Sequence, residues 1–209
     1  MSETAPIRIL VVDDHPLLRE GLAAVIDSET GMSIVAQAKD GLEAIARFRQ
    51  HRPDVTLMDL QMPGMDGIAA TAAIRADWPD ARIVMLTTYR GDAQALRALK
   101  AGASGYVLKS MPHDELVKAI RSAHAGRRYI PGEIAAQLAS HIGDDNLSPR
   151  EIDVLRQVAA GGSNKAIAAH LCITEDTVKS HVKSIMGKLS ASDRTHAVTI
   201  ALKRGIIDV

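Results

Sequence analysis

Five times in the first 125 residues a short apolar run gives way to a helix-patterned stretch, and four of those five runs end on a residue able to do chemistry. Ile7 to Val12 reads as a buried strand ending at Asp13-Asp14, and Pro16 to Asp27 as the helix after it. Ile34 to Ala36 and Gly41 to Arg49 form the second pair, and Val55 to Met58, ending at Asp59, with Ile68 to Ala76 the third. Arg82 to Leu86, ending at Thr87, precedes a helix from Ala93 to Lys100 that stops at Gly102. Gly105 to Leu108, ending at Lys109, precedes the last helix, Asp114 to Ala125. Repeated strand–helix units require right-handed crossovers, which give a parallel sheet with helices on both faces.

In an open parallel sheet, ligands bind beyond the C-terminal ends of the strands. Asp13, Asp14, Asp59, Thr87 and Lys109 all stand there, contributed by four strands. A single Asp at a strand end is more often a cap or a turn former. Three carboxylates, a hydroxyl and a lysine in this order are a different matter. The acids repel one another unless a cation joins them, and Mg2+ prefers carboxylate, carbonyl and water oxygens. Such a site suits phosphoryl transfer, which needs alignment and charge neutralisation above all. Asp59 is the candidate nucleophile, Lys109 the neutralising cation and Thr87 a hydrogen-bond donor to a phosphoryl oxygen.

Residues 126–146 break the alternation. Gly126 stops a helix, Pro131-Gly132 punctuates, and Glu133 to Ile142 has the pattern of an amphipathic linker helix. A second module spans 147–209 and opens on Ser148-Pro149-Arg150-Glu151, a capping box with proline at the first helical position. Four helices are predicted, over 149–160, 164–171, 175–189 and about 192–204. Ser163 caps the second, Cys172-Ile173-Thr174 is a tight turn, and Thr174 caps the third: helix, turn, helix. In the third helix Val178, Val182, Ile185 and Leu189 make the buried stripe. The opposite face carries Asp176, Ser180, Lys183 and Gly187, with Lys179 at its flank. Small and basic residues on the outer face suit a helix lying in a major groove. By charge alone, a plain solvated surface is the favoured reading of the same face.

Charge is divided in the same sense. Residues 1–125 hold 14 Lys and Arg against 16 Asp and Glu, whereas residues 147–209 hold 9 against 6. The basic end fits a nucleic-acid partner, and aromatics at 2% argue against single strands, which are held by stacking. The sequence has no run of 18 apolar residues and its first residues lack a signal-peptide pattern. The single Cys172 cannot form an internal disulfide and reads as a small packing residue. A cytoplasmic protein without membrane contact is the expectation.

The segments Ile9 to Pro16, Met58 to Gly67, Leu86-Thr87-Thr88 and Gly105 to Lys109 resemble the receiver domains of two-component response regulators. Leu147 to Glu151, Ser163 to Ala168 and Thr177 to Val182 resemble the LuxR-type DNA-binding domain. Together they resemble a NarL/FixJ-type regulator over nearly the whole chain. The resemblance implies a flavodoxin-like, doubly wound five-stranded sheet of order 2-1-3-4-5, followed by an all-α four-helix domain. It implies that a sensor histidine kinase donates phosphate to Asp59. Asp14, Asp59 and the Gln61 backbone carbonyl then ligate Mg2+, Asp13 acts through a water, and Thr87 and Tyr106 form a switch pair in which Tyr106 turns inward behind Thr87. On double-stranded DNA it implies base contacts from Lys179, Ser180 and Lys183 and phosphate contacts near Ser163, Asn164, Thr174 and Thr177. A homodimer follows, with Ala197, Ile200 and Ala201 as the apolar stripe of its surface. Many receivers have proline where Ser110 stands; a non-proline cis bond costs about 3 kcal/mol, which puts the cis peptide common there in doubt.

Two rivals are open to test. A phosphohydrolase of the haloacid-dehalogenase type uses two Asp separated by one residue after its first strand. Here Asp13 and Asp14 are adjacent and the candidate nucleophile lies on another strand, so no turnover beyond self-phosphorylation and self-dephosphorylation is expected. A constitutive DNA binder would not need the acidic pocket.

Overall fold

The computed structural model describes residues 5–88, 91–140 and 147–207. By contact they fall into two compact units, the first made of residues up to 88 and Ala95–Ala135, the second of residues 91–94 and those from Ala136 on, each with its own apolar core. In the first, β1 (Ile7–Val12), β2 (Met32–Ala38), β3 (Val55–Asp59), β4 (Ile83–Thr87) and β5 (Gly105–Leu108) make one parallel sheet in the order β2-β1-β3-β4-β5. The helices between and after them are α1 (Pro16–Asp27), α2 (Gly41–His51), α3 (Gly67–Asp77), α4 (Asp92–Lys100) and α5 (His113–His124). This is the doubly wound, flavodoxin-like arrangement expected.

The strands are apolar throughout because both faces are covered. Ile7, Ile9 and Val11 point to one face and pack with Ile26 of α1 and with Leu116, Ala119, Ile120 and Ala123 of α5. The alternate residues Leu10 and Val12 are also fully buried and face the other side, where α2 and α3 pack on the sheet and on each other. α2 starts at Asp40, whose side chain accepts from Glu43 N, and stops where Arg52 turns left-handed at φ 45°. The loop after β3 returns tightly: Gly67 N donates to Leu60 O at 3.0 Å, and a Cβ at Gly67 would collide with the carbonyl of Asp59. All peptide bonds of the described residues are trans, including the one before Ser110.

The first unit runs on beyond residue 125. Tyr129 lies beside β5 as a one-residue parallel bridge to Gly105, with Tyr129 N donating to Ser104 O and Tyr106 N to Tyr129 O. Its hydroxyl donates to the Glu115 carboxylate of α5. α6 (Gly132–Ser140) follows; the expected helix reached Ile142, which lies outside the described residues.

In the second unit, α7 (Pro149–Ala159), α8 (Asn164–Leu171), α9 (Glu175–Lys188) and α10 (Arg194–Arg204) enclose Val154, Leu155, Val158, Ile167, Val178, Ile185 and Leu189. Ala197 and Ala201 of α10 are in this core as well. They therefore cannot belong to the dimer-facing stripe expected from the sequence; two small residues one turn apart let α10 approach its own neighbours closely instead. Glu151 ties the unit together. Its carboxylate closes the capping box with Ser148 N at 2.6 Å, accepts from Ser184 Oγ at 2.6 Å and pairs with Lys188 Nζ at 2.9 Å, both on α9. Burial alone would raise this carboxyl, but the hydrogen bonds from Ser184, Ser148 and Lys188 outweigh it and hold the group at about 2.

A carboxylate whose pKa is depressed on folding stabilises the fold above its ordinary value, and that stability drains away as pH falls towards the folded value. Glu151→Gln is expected to lower the calorimetric stability of the C-terminal unit by about 2 kcal/mol at pH 7, the scale of hydrogen bonds to a buried charged group. The deficit relative to wild type stays level down to the ordinary carboxyl value of 4.5 and closes as pH approaches 2.

Candidate functional site

Parallel pairing sets the ends of β1, β3, β4 and β5 side by side, and the polar residues of the sequence meet there. Asp13 is fully buried, Asp59 is 3% exposed and Thr87 2%. Lys109 reaches in from the residue after β5, its Nζ 2.7 Å from Asp13 Oδ2 and 2.9 Å from Asp59 Oδ2. The Asp13 contact is poorly directed as a hydrogen bond, so it holds as an ion pair on distance. Asp14 sits at the rim, half-buried. Gln61, exposed at the mouth, brings its backbone N to 3.4 Å from Asp59 Oδ1.

Burial raises the Asp59 carboxyl above its ordinary value, and the hydrogen bond and charge of Lys109 only partly offset this. Burial would lower Lys109, but its two carboxylate partners more than compensate and hold the ammonium above its usual range. Tyr106 is fully buried, shares a hydrogen bond with Thr87, and is pushed up to about 12, mainly by burial. The two residues expected as a switch pair are thus in contact, with the ring directed into the protein.

Among the described residues Asp13 and Asp59 share the single ammonium of Lys109, and Asp14 adds a third carboxylate at the rim beside His15. That excess of buried and rim carboxylate fits a hard divalent cation. The donor set differs in one respect from the expectation. The group whose ligand atoms all lie within 4.8 Å of one another is Asp13, Asp14 and His15. Asp59 stands apart from it, linked to Asp13 through Lys109. His15 is exposed, yet its Nδ1 lies 2.9 Å from Asp14 Oδ1 and its backbone N donates to Asp13 Oδ1 at 2.9 Å. Its position directly after the acidic pair was the available signal.

In the second unit, the Ser163 side chain accepts from Ala166 N at 3.2 Å to start α8, with Asn164 as its first residue. The Thr174 hydroxyl accepts from Thr177 N at 3.1 Å and lies 2.8 Å from Thr177 Oγ1 to start α9. Between them Cys172 takes φ 55° and is exposed, so it ends α8 rather than packing. On α9 the outer face stands clear as expected: Asp176, Lys179, Ser180 and Lys183 are exposed while Val178 and Ile185 are buried. Lys179 Nζ lies 2.9 Å from Asp176 Oδ1, one turn back along the helix.

Comparison with known proteins places both units. The response regulator receiver domain matches residues 9–121, and the luxR family of bacterial regulatory proteins matches residues 145–201. The transcriptional regulatory protein LiaR of Bacillus subtilis is 37% identical over 97% of this chain and 100% of its own length. The probable transcriptional regulatory protein NarL of Mycobacterium tuberculosis is 37% identical over the full length of both. Among solved structures, RcsB of Salmonella enterica serovar Typhimurium, bound to a promoter in the presence of the phosphomimetic BeF3−, matches with a TM-score of 0.72 at 28% identity. It covers 93% of this chain and 97% of that one.

The pocket's charge balance is open to test through Trp78, the chain's single tryptophan and a residue of the first unit. Lys109→Met is expected to lower the stability read by its fluorescence in urea by about 3 kcal/mol at pH 7, since it strands buried carboxylates. Without the ammonium those carboxyls take up protons more readily in the folded state, so the deficit shrinks as pH falls from 7 to 5.

Proposed function

The chain belongs to the response regulators that join a receiver to a LuxR-type DNA-binding domain, and on that premise we propose that phosphorylation of Asp59, supported by Mg2+, controls how the C-terminal unit binds double-stranded DNA. The observation that carries this reading is Lys109 between the carboxylates of Asp13 and Asp59, at the C-terminal edge of the sheet.

Asp14, Asp59 and the Gln61 carbonyl would hold the ion, with Asp13 acting through a water; when bound, the ion neutralises phosphoryl oxygens and aligns donor and acceptor. The residues of the chain do the rest. A carboxylate oxygen of Asp59 attacks the phosphorus of a phosphohistidine on a sensor histidine kinase. The phosphorus–nitrogen bond breaks, its electron pair stays on the imidazole, and an aspartyl phosphate remains. Lys109 is already in contact with Asp59 and keeps its charge on the incoming oxygens. The Thr87 hydroxyl is buried at the end of the neighbouring strand and donates to one of them. Moving Thr87 to the phosphate changes its hydrogen bond with Tyr106, which passes the event to the ring. Water later hydrolyses the acyl phosphate, and no separate substrate is turned over.

On DNA, Lys179, Ser180 and Lys183 read base edges in the major groove. Ser163, Asn164, Thr174 and Thr177 lie at the starts of α8 and α9, where backbone N–H groups favour phosphate. Pairing of two phosphorylated copies raises effective concentration at two half-sites without any new contact. The promoter complex of RcsB with a phosphomimetic supports this reading. No helix among the described residues is long and apolar enough to cross a membrane, in keeping with a cytoplasmic protein.

Acetyl phosphate with Mg2+ is expected to add one phosphoryl group to the chain by mass spectrometry and none to Asp59→Asn. The phosphorylated form is expected to bind promoter DNA at least tenfold more tightly, roughly 1.4 kcal/mol. Equal affinity of the two forms would overturn the coupling while leaving the phosphorylation chemistry standing.

A further inference from the structure

The face of α9 that the DNA reading assigns to base edges carries an acid as well as two lysines. Asp176 is 89% exposed at the side chain and lies on the same face as Ser180 and Lys183. It makes one contact, to Lys179 Nζ at 2.9 Å. Lysine side chains are long and hold many rotamers, and a cation beside DNA is drawn to whichever phosphate it can reach. Here the pairing runs back from residue 179 to 176, towards the helix N-terminus, the direction in which helical side chains lean. The ammonium is thereby kept over the first turn, the part of a reading helix that meets base edges.

We infer that Asp176 is a specificity-determining residue that positions Lys179 over the reading face and keeps it off the phosphate backbone. This rests on the DNA-binding role proposed above. An exposed ion pair is worth little to folding, and the helix-dipole benefit of an acid in the first turn is supplied equally by Glu175. The carboxylate subtracts one cation from sequence-independent attraction and leaves the same cation aimed for sequence-dependent contact. The Asp176 hydrogen bond also holds the Lys179 ammonium above its ordinary range. Glu175 carries the same charge in the same turn but reaches Lys179 only at longer range, which makes it the control.

The test uses the full chain, phosphorylated with acetyl phosphate, and a pool of random-sequence 30-base-pair duplexes labelled for fluorescence anisotropy. Tight binders are first selected from the pool with the wild-type protein. Asp176→Asn is expected to bind the unselected pool about threefold more tightly and to gain no affinity for the selected duplexes. Its log affinity against log salt on the unselected pool steepens by about one, the signature of one more phosphate contact. Asp176→Glu restores wild-type behaviour, and Asp176→Asn made in a Lys179→Ala background shifts selected and unselected duplexes alike, as loss of one negative charge does. Glu175→Gln does the same, leaving their ratio unchanged. The inference is overturned if Asp176→Asn and Glu175→Gln behave the same, or if the Asp176→Asn change in that ratio survives without Lys179. Failure of the wild-type protein to select any duplex overturns the DNA-binding role, and this inference with it.

Discussion

One ammonium group governs the first unit. Three carboxylates at the ends of parallel strands would drive those strands apart, and Lys109, within 2.7 and 2.9 Å of two of them, allows them to converge in a buried place. The fold and the chemistry are therefore the same problem solved once. The sheet order puts β1 between β2 and β3, and β4 between β3 and β5. The acids of β1 and β3 are thus adjacent, and the lysine arrives from the edge. Lys109 still leaves the acids in excess, and that surplus distinguishes the place from a finished ion pair and fits the proposed cation.

The second unit uses a buried acid for an opposite end. Glu151 is supplied with donors on both oxygens by Ser148, Ser184 and Lys188. Its work is to fix α9 against α7. Because α9 is held from behind, its outer residues are spared structural duty and remain exposed. Buried carboxylates thus play two parts in one chain: one left short of partners to recruit them, one fully supplied to brace a helix.

Much of this was legible beforehand. Strand–helix alternation is coarse and strong, and the strand ends carry their chemistry in single residues, so β1 to β5 and Asp13, Asp14, Asp59, Thr87 and Lys109 could be placed at once. The capping box at Ser148 and Glu151 is a local pattern, and it formed as written. Other features depend on distance in space. Ala197 and Ala201 look the same whether an apolar stripe faces its own core or a second copy, and only packing decides. Cys172 is apolar enough to suggest burial, but a left-handed turn between two helices put it outside. The Lys179–Asp176 pair was compatible with helical spacing, yet many such pairs never close. Tyr129 gave no sign that one isolated residue would lengthen the edge of the sheet, since one bridge leaves no periodicity.

The glycine at the start of α3 has a consequence for motion. Any side chain at Gly67 would strike the Asp59 carbonyl, and its amide is bonded to the carbonyl of Leu60. The backbone of Asp59 and the first turn of α3 thus lie directly against one another. A shift of the Asp59 backbone has no slack to spend before it reaches that helix, like the movement of a hinge leaf screwed directly to its door.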